Sequence, residues 1–179
     1  LIEPSGALQT NEPELLVRGV LSEWAALRVD GQVEALYPDR SFSFLRTLVE
    51  GPNTFLLEAL DSAENRGELL LEVTLDTAVP AGLDGTGLTL APSAGGIAGF
   101  LGEPGCVLDP SSDHRIVARN LETSAEVFTT VAPDRGFEGS VPALPGDRIE
   151  FRVADLADNR SAAELRVASG GDPVPPDPD

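Results

Sequence analysis

Apolar residues fall into short runs along this chain, and turn-forming residues separate the runs at regular intervals. In the first half the runs are Leu15-Leu16-Val17, Leu27-Arg28-Val29, Ser41-Phe42-Ser43-Phe44, Thr54 to Ala59, and Glu68 to Val73. Between them lie Asp30-Gly31, Pro38-Asp39, Gly51-Pro52-Asn53 and Glu64-Asn65. Short strands bounded by such residues every 8–12 positions or so predict an all-β sandwich. Side chains alternate between faces along a strand, so Phe55, Leu57 and Ala59 point inward together, as do Ile149, Phe151 and Val153. Only Ser22 to Ala26 has the composition of a helical turn, and no helix longer than about two turns is expected.

The pattern repeats. Asp39-Arg40-Ser41-Phe42 matches Asp134-Arg135-Gly136-Phe137, Gly51 matches Gly146, and Asp61-Ser62-Ala63-Glu64-Asn65-Arg66 matches Asp155-Leu156-Ala157-Asp158-Asn159-Arg160. The spacing is 95 up to the glycines (134 − 39, 146 − 51) and 94 within the Asp/Asn motif (155 − 61). Held at 94, the closing strands Leu71-Glu72-Val73 and Leu165-Arg166-Val167 superimpose. A repeat at fixed period means two copies of one structural unit. The first module is expected over 1–76 and the second over 77–169, with the boundary near Asp76 to Ala81, where Thr77-Ala78-Val79-Pro80 interrupts the strand pattern; a linker this short and proline-bearing is expected to restrict motion between them. Residues 170–179, Gly-Gly-Asp-Pro-Val-Pro-Pro-Asp-Pro-Asp, have almost nothing to bury and read as a polyproline-like extension or spacer.

Composition narrows the choice. Hydrophobic residues are 41% of the 179 but aromatics only 5%, which suits two thin cores rather than one large one. No apolar run approaches the ~20 residues that span a bilayer. The net charge is −18, from 30 acidic residues against 12 arginines, with no Lys and the single His114 counted neutral. Such a surface repels nucleic acid and anionic lipid, so neither is an expected partner. The single Cys106 permits no intrachain disulfide and is read as a small buried hydrophobe. Leu1 is not an initiator methionine and no signal-peptide pattern follows, so a processed chain or an excised segment is expected.

The segment Val49-Glu50-Gly51-Pro52-Asn53-Thr54-Phe55 followed by Asp61-Ser62-Ala63-Glu64-Asn65, with its second copy around Leu144-Pro145-Gly146-Asp147-Arg148-Ile149, resembles the bacterial immunoglobulin-like modules of secreted glycosidases and adhesins, of the kind of glucodextranase domain B. The likeness covers about 160 residues. Here Arg40 and Arg135 stand near the family's usual glycine, and acidic residues precede Asn65 and Asn159. The resemblance implies two consecutive immunoglobulin-like antiparallel β-sandwiches used as a spacer, stalk or accessory binding domain.

Candidate chemistry is sparse. Asp61 and Asp155 suit Asx-type turn capping, and Asn65 and Asn159 suit a positive φ. The same residues, with Glu64 and Asp158, are a candidate Ca²⁺ site if Asp30, Asp39, Asp134 or Asp147 complete the six to eight oxygens or so that Ca²⁺ takes; turn capping is the preferred reading, and no cofactor is expected. His114 lies beside Asp113, Ser111 and Ser112, but neighbours on a strand face opposite ways, so it is expected at an exposed strand edge. Ala94 to Gly102 is Gly-rich, yet no helix signal or Lys follows it, so it reads as a strand with tight turns rather than a phosphate cradle. Trp24 and Tyr37 are the lone Trp and Tyr; Trp24 is a candidate glycan platform, with packing the preferred role.

These observations predict a non-enzymatic structural or adhesive module of an extracellular or cell-surface bacterial protein, as a repeat or fibre subunit. Its expected partners are other domains of the parent protein or copies of itself. The alternative is an accessory carbohydrate-binding pair of a secreted enzyme. Specific activity is expected where the modules differ, at Ser22–Ala26 and at 94–113.

Overall fold

A computed structural model describes residues 2–3, 8–91, 93–111 and 113–170, with backbone alone for Ile2 and Glu3; residues 171–179 lie outside the described part. The chain divides into two compact units, Leu1–Thr77 and Ala78–Asp179. Both are built of strands, and the lone helical feature among the described residues is a 3-10 turn at Gly85–Gly87. Ser22 to Ala26 forms no helix.

The first unit contains β1 (Ile2–Glu3), β2 (Leu8–Thr10), β3 (Glu14–Val20), β4 (Ala26–Val29), β5 (Gln32–Glu34), β6 (Ser41–Thr47), β7 (Gly51–Leu60) and β8 (Arg66–Leu75). One sheet runs β1-β3-β6 and the other β2-β8-β7-β4-β5. The second unit contains β9 (Leu88–Leu90), β10 (Ile97–Gly102), β11 (Arg115–Asn120), β12 (Glu126–Thr130), β13 (Phe137–Pro142), β14 (Arg148–Ala154) and β15 (Glu164–Val167). Its sheets run β9-β10-β13 and β12-β11-β14-β15. The two orders are the same plan, with β3, β6, β4, β5, β7 and β8 replaced in turn by β10, β13, β11, β12, β14 and β15. This is the immunoglobulin-like sandwich, present twice. Its ladders are antiparallel except at the entry strand: β2 runs parallel to β8, and Ser93 makes a parallel bridge to Gly170.

Each unit closes over a single layer of apolar side chains. Leu15, Val17, Leu27, Val29, Phe42, Phe44, Phe55, Leu57, Leu71 and Val73 fill the first. Phe100, Ile116, Phe137, Ile149, Phe151 and Val153 dominate the second. The expected inward faces are found, although Ala59, beyond the end of the core, is only half-buried. Two glycines make room for the aromatic rings. Gly102 pairs with Phe137 and Gly139 with Phe100 across β10 and β13. A Cβ on Gly102 would stand 2.2 Å from the Phe137 ring, and one on Gly139 would stand 2.4 Å from the Phe100 ring. Phe100 in turn meets Phe151 edge-on at 5.2 Å, so one aromatic cluster ties the two sheets together. The Gly-rich stretch is therefore strand β10 entered by a tight turn, Ala94 and Ile97 bonding each other's backbone.

The closing strands do not superimpose as the constant spacing of 94 requires. In the first unit Leu57 faces Leu69, and paired residue numbers sum to 126 along the whole ladder. In the second, the Ala154–Arg160 bridge sums to 314, whereas Phe151 with Glu164 sums to 315. One extra residue has entered the strand between them. Ser161 fills the bulge: its backbone N–H donates to Val153 O at 2.9 Å, and its Oγ accepts from Val153 N at 2.9 Å. A one-residue shift exchanges the faces of a strand. Leu71 and Val73 are buried, but Leu165 and Val167 are 54% and 64% exposed. The counterpart of Val73 is instead Ala168, which is buried. Arg166 now points toward the other sheet and donates to Gly85 O and Leu88 O.

The contacts at Gly102 and Ser161 are specific enough to test by chemical denaturation. Gly102→Ala should cost roughly 1–3 kcal/mol because the Phe137 ring cannot retreat through packed neighbours. Ser161→Ala should cost about 1–3 kcal/mol by leaving the buried Val153 N–H without an acceptor. A neutral result for Gly102→Ala would show that the aromatic ring is not held in place.

Candidate functional site

The repeated Asp/Asn motif is the turn joining the last two strands of each sandwich. In the first unit Asp61 N donates to Asn65 O at 3.1 Å and Glu64 N to Asp61 O at 3.2 Å. Asp61 Oδ1 accepts from Ala63 N and Asn65 N, each at 2.8 Å, while Oδ2 accepts from Asn65 Nδ2 at 2.7 Å. The second unit repeats this: Asp155 Oδ1 accepts from Asn159 N and Oδ2 from Asn159 Nδ2, both at 2.9 Å. Both carboxylate oxygens are thus engaged by the turn's own N–H groups. The Asn65 side chain holds the Asp61 carboxyl below its ordinary value of 3.8, because those bonds favour the charged form.

The positive φ falls one residue earlier than expected, at Glu64 (67°) and Asp158 (65°) rather than at Asn65 and Asn159. The acidic residues occupy the position where glycine costs least, and each asparagine serves as a clamp on the aspartate. The same substitution for glycine occurs at Arg40 (66°) and Arg135 (65°). Those turns are also paired copies: Asp39 Oδ1 accepts from Ser41 N and Asp134 Oδ1 from Gly136 N, both at 3.0 Å. Asp147 joins a different network, accepting from Leu144 N and Asn120 Nδ2, and Asp30 accepts from Leu56 N. Among the described residues no three His, Cys, Asp or Glu side chains come together in a way that could hold a metal ion.

His114 departs from expectation, because it is buried rather than exposed at an edge. Its Nδ1 stands 3.8 Å from Asp109 Oδ1. Ser111 Oγ lies 3.2 Å from Nε2 and 3.4 Å from Nδ1. A hydroxyl nearly equidistant from both ring nitrogens is off the lone-pair direction of either, which a nucleophile–base pair requires. Asp109 is occupied with structure. Its Oδ1 accepts from Ser111 N and its Oδ2 from Ala81 N, each at 3.0 Å. Burial pushes this carboxyl up, but those N–H donors and the nearby His114 ring outweigh it and hold it below 3.8. The cluster pins the 108–114 loop to the segment entering the second unit. No period or spacing signalled it, since Asp109 sits five residues away across an irregular loop. Cys106 is buried in the same core, its thiol donating to Asp84 O at 3.3 Å, and burial pushes its pKa up.

The candidate binding residues lie on the surface. Trp24 is 61% exposed and Tyr37 56%. They belong to neighbouring segments, since Leu21 N donates to Arg40 O at 3.1 Å and the Arg40 guanidinium donates to Ser22 O. In the second unit, the register shift places Leu165 and Val167 on the outer face of the sheet that also carries exposed Phe128, over which Arg115 sits at 4.9 Å.

No protein-family model matches the sequence, and no curated protein matches it. Solved structures do. The fibronectin(III)-like modules of Clostridium thermocellum CbhA match with a TM-score of 0.57 at 10% identity, over 95% of both chains. The FN1–FN3 domains of chicken CNTN1 match with a TM-score of 0.56 at 9% identity, over 92% of this chain and 65% of that one. At such identities the likeness is one of fold: tandem sandwiches of the fibronectin type III and immunoglobulin kind.

The Asp61 turn makes stability depend on pH in a stated direction. A folded-state pKa below the unfolded value stabilises above about pH 3.8, and that contribution is lost as pH falls through the folded value. Asp61→Ala should therefore be less stable than the parent near pH 7, with the gap narrowing below about pH 4 in urea titrations. A gap that stays constant with pH would show that the charge of Asp61 is not what holds the turn.

Proposed function

We propose that the chain is a pair of non-catalytic structural or adhesive modules from a secreted or cell-surface bacterial protein, acting as a repeat or subunit of an extracellular fibre. The observation that carries this reading is duplication of the framework itself. The two units share sheet order, turn geometry and core positions, whereas their surfaces differ. Copying a sandwich whole lengthens a chain in equal steps without adding a reactive centre. The buried His114 fits the same reading, since its neighbours serve to hold a loop. No helix among the described residues is long and apolar enough to cross a membrane. The likeness to glucodextranase domain B is consistent with such use and rests on the sequence motif alone.

A second reading, an accessory carbohydrate-binding pair, is favoured by one observation. Trp24 is exposed beside the Tyr37 turn, and flat aromatic rings are the usual platform for sugar faces. Calcium at Asp61, Asn65, Asp155, Asp158 and Asn159 stays subordinate to turn capping, because the Asp oxygens already have donors.

Treating intact source cells with protease should remove an epitope raised against residues 8–170, or the epitope should appear in the medium. An epitope released only by lysis would sink the extracellular reading. Trp24→Ala should change stability by less than about 0.5 kcal/mol, as exposed substitutions do. Glycan-array binding that disappears in this variant would replace the structural reading with the carbohydrate one. A Ca²⁺-dependent rise in melting temperature that is lost in Asp155→Ala would overturn the capping assignment.

A further inference from the structure

The outer face of the β1-β3-β6 sheet carries a cavity that nothing above employs. β3 and β6 lie side by side there, with Arg18 opposite Ser43 and Val20 opposite Ser41. The Tyr37 turn closes one end, and the resulting hollow has a volume of about 310 Å³ with Tyr37, Val20, Phe42 and Arg18 among its walls. Phe42 is a buried core residue, while Arg18, Val20 and Tyr37 are exposed. Tyr37 is fixed at the backbone, because its N–H donates to Ser41 O at 2.8 Å and its carbonyl accepts from Arg40 N at 2.9 Å. The backbone that carries the ring therefore has little freedom left to lose when the ring is covered. β6 is the outermost strand of its sheet, so the hollow opens at a sheet edge.

We propose that this cavity is the docking site for the acidic proline-rich segment Asp172–Asp179 of a second copy of the chain. The inference rests on the fibre-subunit reading and names its contact. The segment reads Asp-Pro-Val-Pro-Pro-Asp-Pro-Asp. Pro173 and Pro176 are three apart, and so are Pro175 and Pro178. A polyproline helix turns every three residues and rises about 3.1 Å per residue, so in that conformation each pair would form a ridge with its prolyl rings about 9 Å apart. Such ridges dock on aromatic-walled grooves at low entropic cost, because their conformation is already set. Tyr37 and Val20 supply the wall. The charge also matches: the segment carries three Asp and no basic residue, and it would meet Arg18. Asp39, the nearest carboxylate of the turn, is turned inward to the N–H and O–H of Ser41 and has Arg40 beside it. The segment follows the second unit, whereas the cavity belongs to the first. Contact between copies is then head-to-tail, and such a contact propagates into an open filament unless its rotation closes a ring.

The test uses the full chain and a fluorescein-labelled peptide of residues Gly170–Asp179. Anisotropy should show saturable binding, weakened at least about tenfold by Tyr37→Ala or by Arg18→Glu, a loss of ~1.4 kcal/mol. A peptide with alanine at the four prolines should not bind. Sedimentation of the full chain should show concentration-dependent oligomers that both Tyr37→Ala and excess peptide dissolve. Both substitutions are at exposed positions, and circular dichroism would verify the fold. A peptide that does not bind, or that binds Tyr37→Ala equally well, overturns the site. Oligomers that ignore Tyr37→Ala and the peptide also overturn the site, but leave the fibre reading standing. Peptide binding by a chain that stays monomeric at every concentration overturns the second-copy contact and the self-assembling fibre together.

Discussion

A sandwich of this size has room for one layer of side chains between its sheets, so every strand must keep its period-two alternation in register with its neighbours. A slip of one residue would turn an apolar row to water and a polar row to the core. In the first unit the register of the last hairpin runs unbroken from the Asp/Asn turn, whereas in the second the bulge at Ser161 shifts it by one residue. Asp61 and Asp155 gather the N–H groups of the reversing chain, and the strand pairs that follow, Leu57–Leu69 and Phe55–Leu71, inherit their alignment from that point. The turn therefore recurs because the core demands it.

Scarcity of aromatic residues shapes how the layer is filled. In the second unit Phe100, Phe137 and Phe151 supply most of the bulk, and Gly102 and Gly139 give the rings somewhere to lie. The first unit relies more on Leu and Val and uses Phe42 and Phe44 stacked at 5.9 Å on one strand. The same fold is thus packed two ways.

Divergence is also where functional capacity would lie. The first unit presents the Trp24 and Tyr37 segments and the cavity beside β6. The second presents Leu165 and Val167, turned outward by the bulge at Ser161. The excess of acidic groups, 30 against 12, sets the charge of the surface around these positions. It also makes an exposed arginine such as Arg18 a distinct landmark for an acidic partner.

The sequence by itself determined the all-β class, the duplication, the inward rows Phe55/Leu57 and Ile149/Phe151/Val153, and the capping role of Asp61 and Asp155. These depend on local periodicity and on turn chemistry within five residues. It put the positive φ on Asn65 and Asn159, one residue later than Glu64 and Asp158, which adopt it. Only the tertiary structure decided the rest. His114 is buried because a loop folds it toward Asp109, and no alternation reports a loop. The Ser161 bulge is one residue in a stretch with no glycine to announce it, yet it reverses the faces of β15 relative to β8. Similar residues in similar order then end on opposite sides, because a strand's faces are fixed by its partner and not by its own sequence.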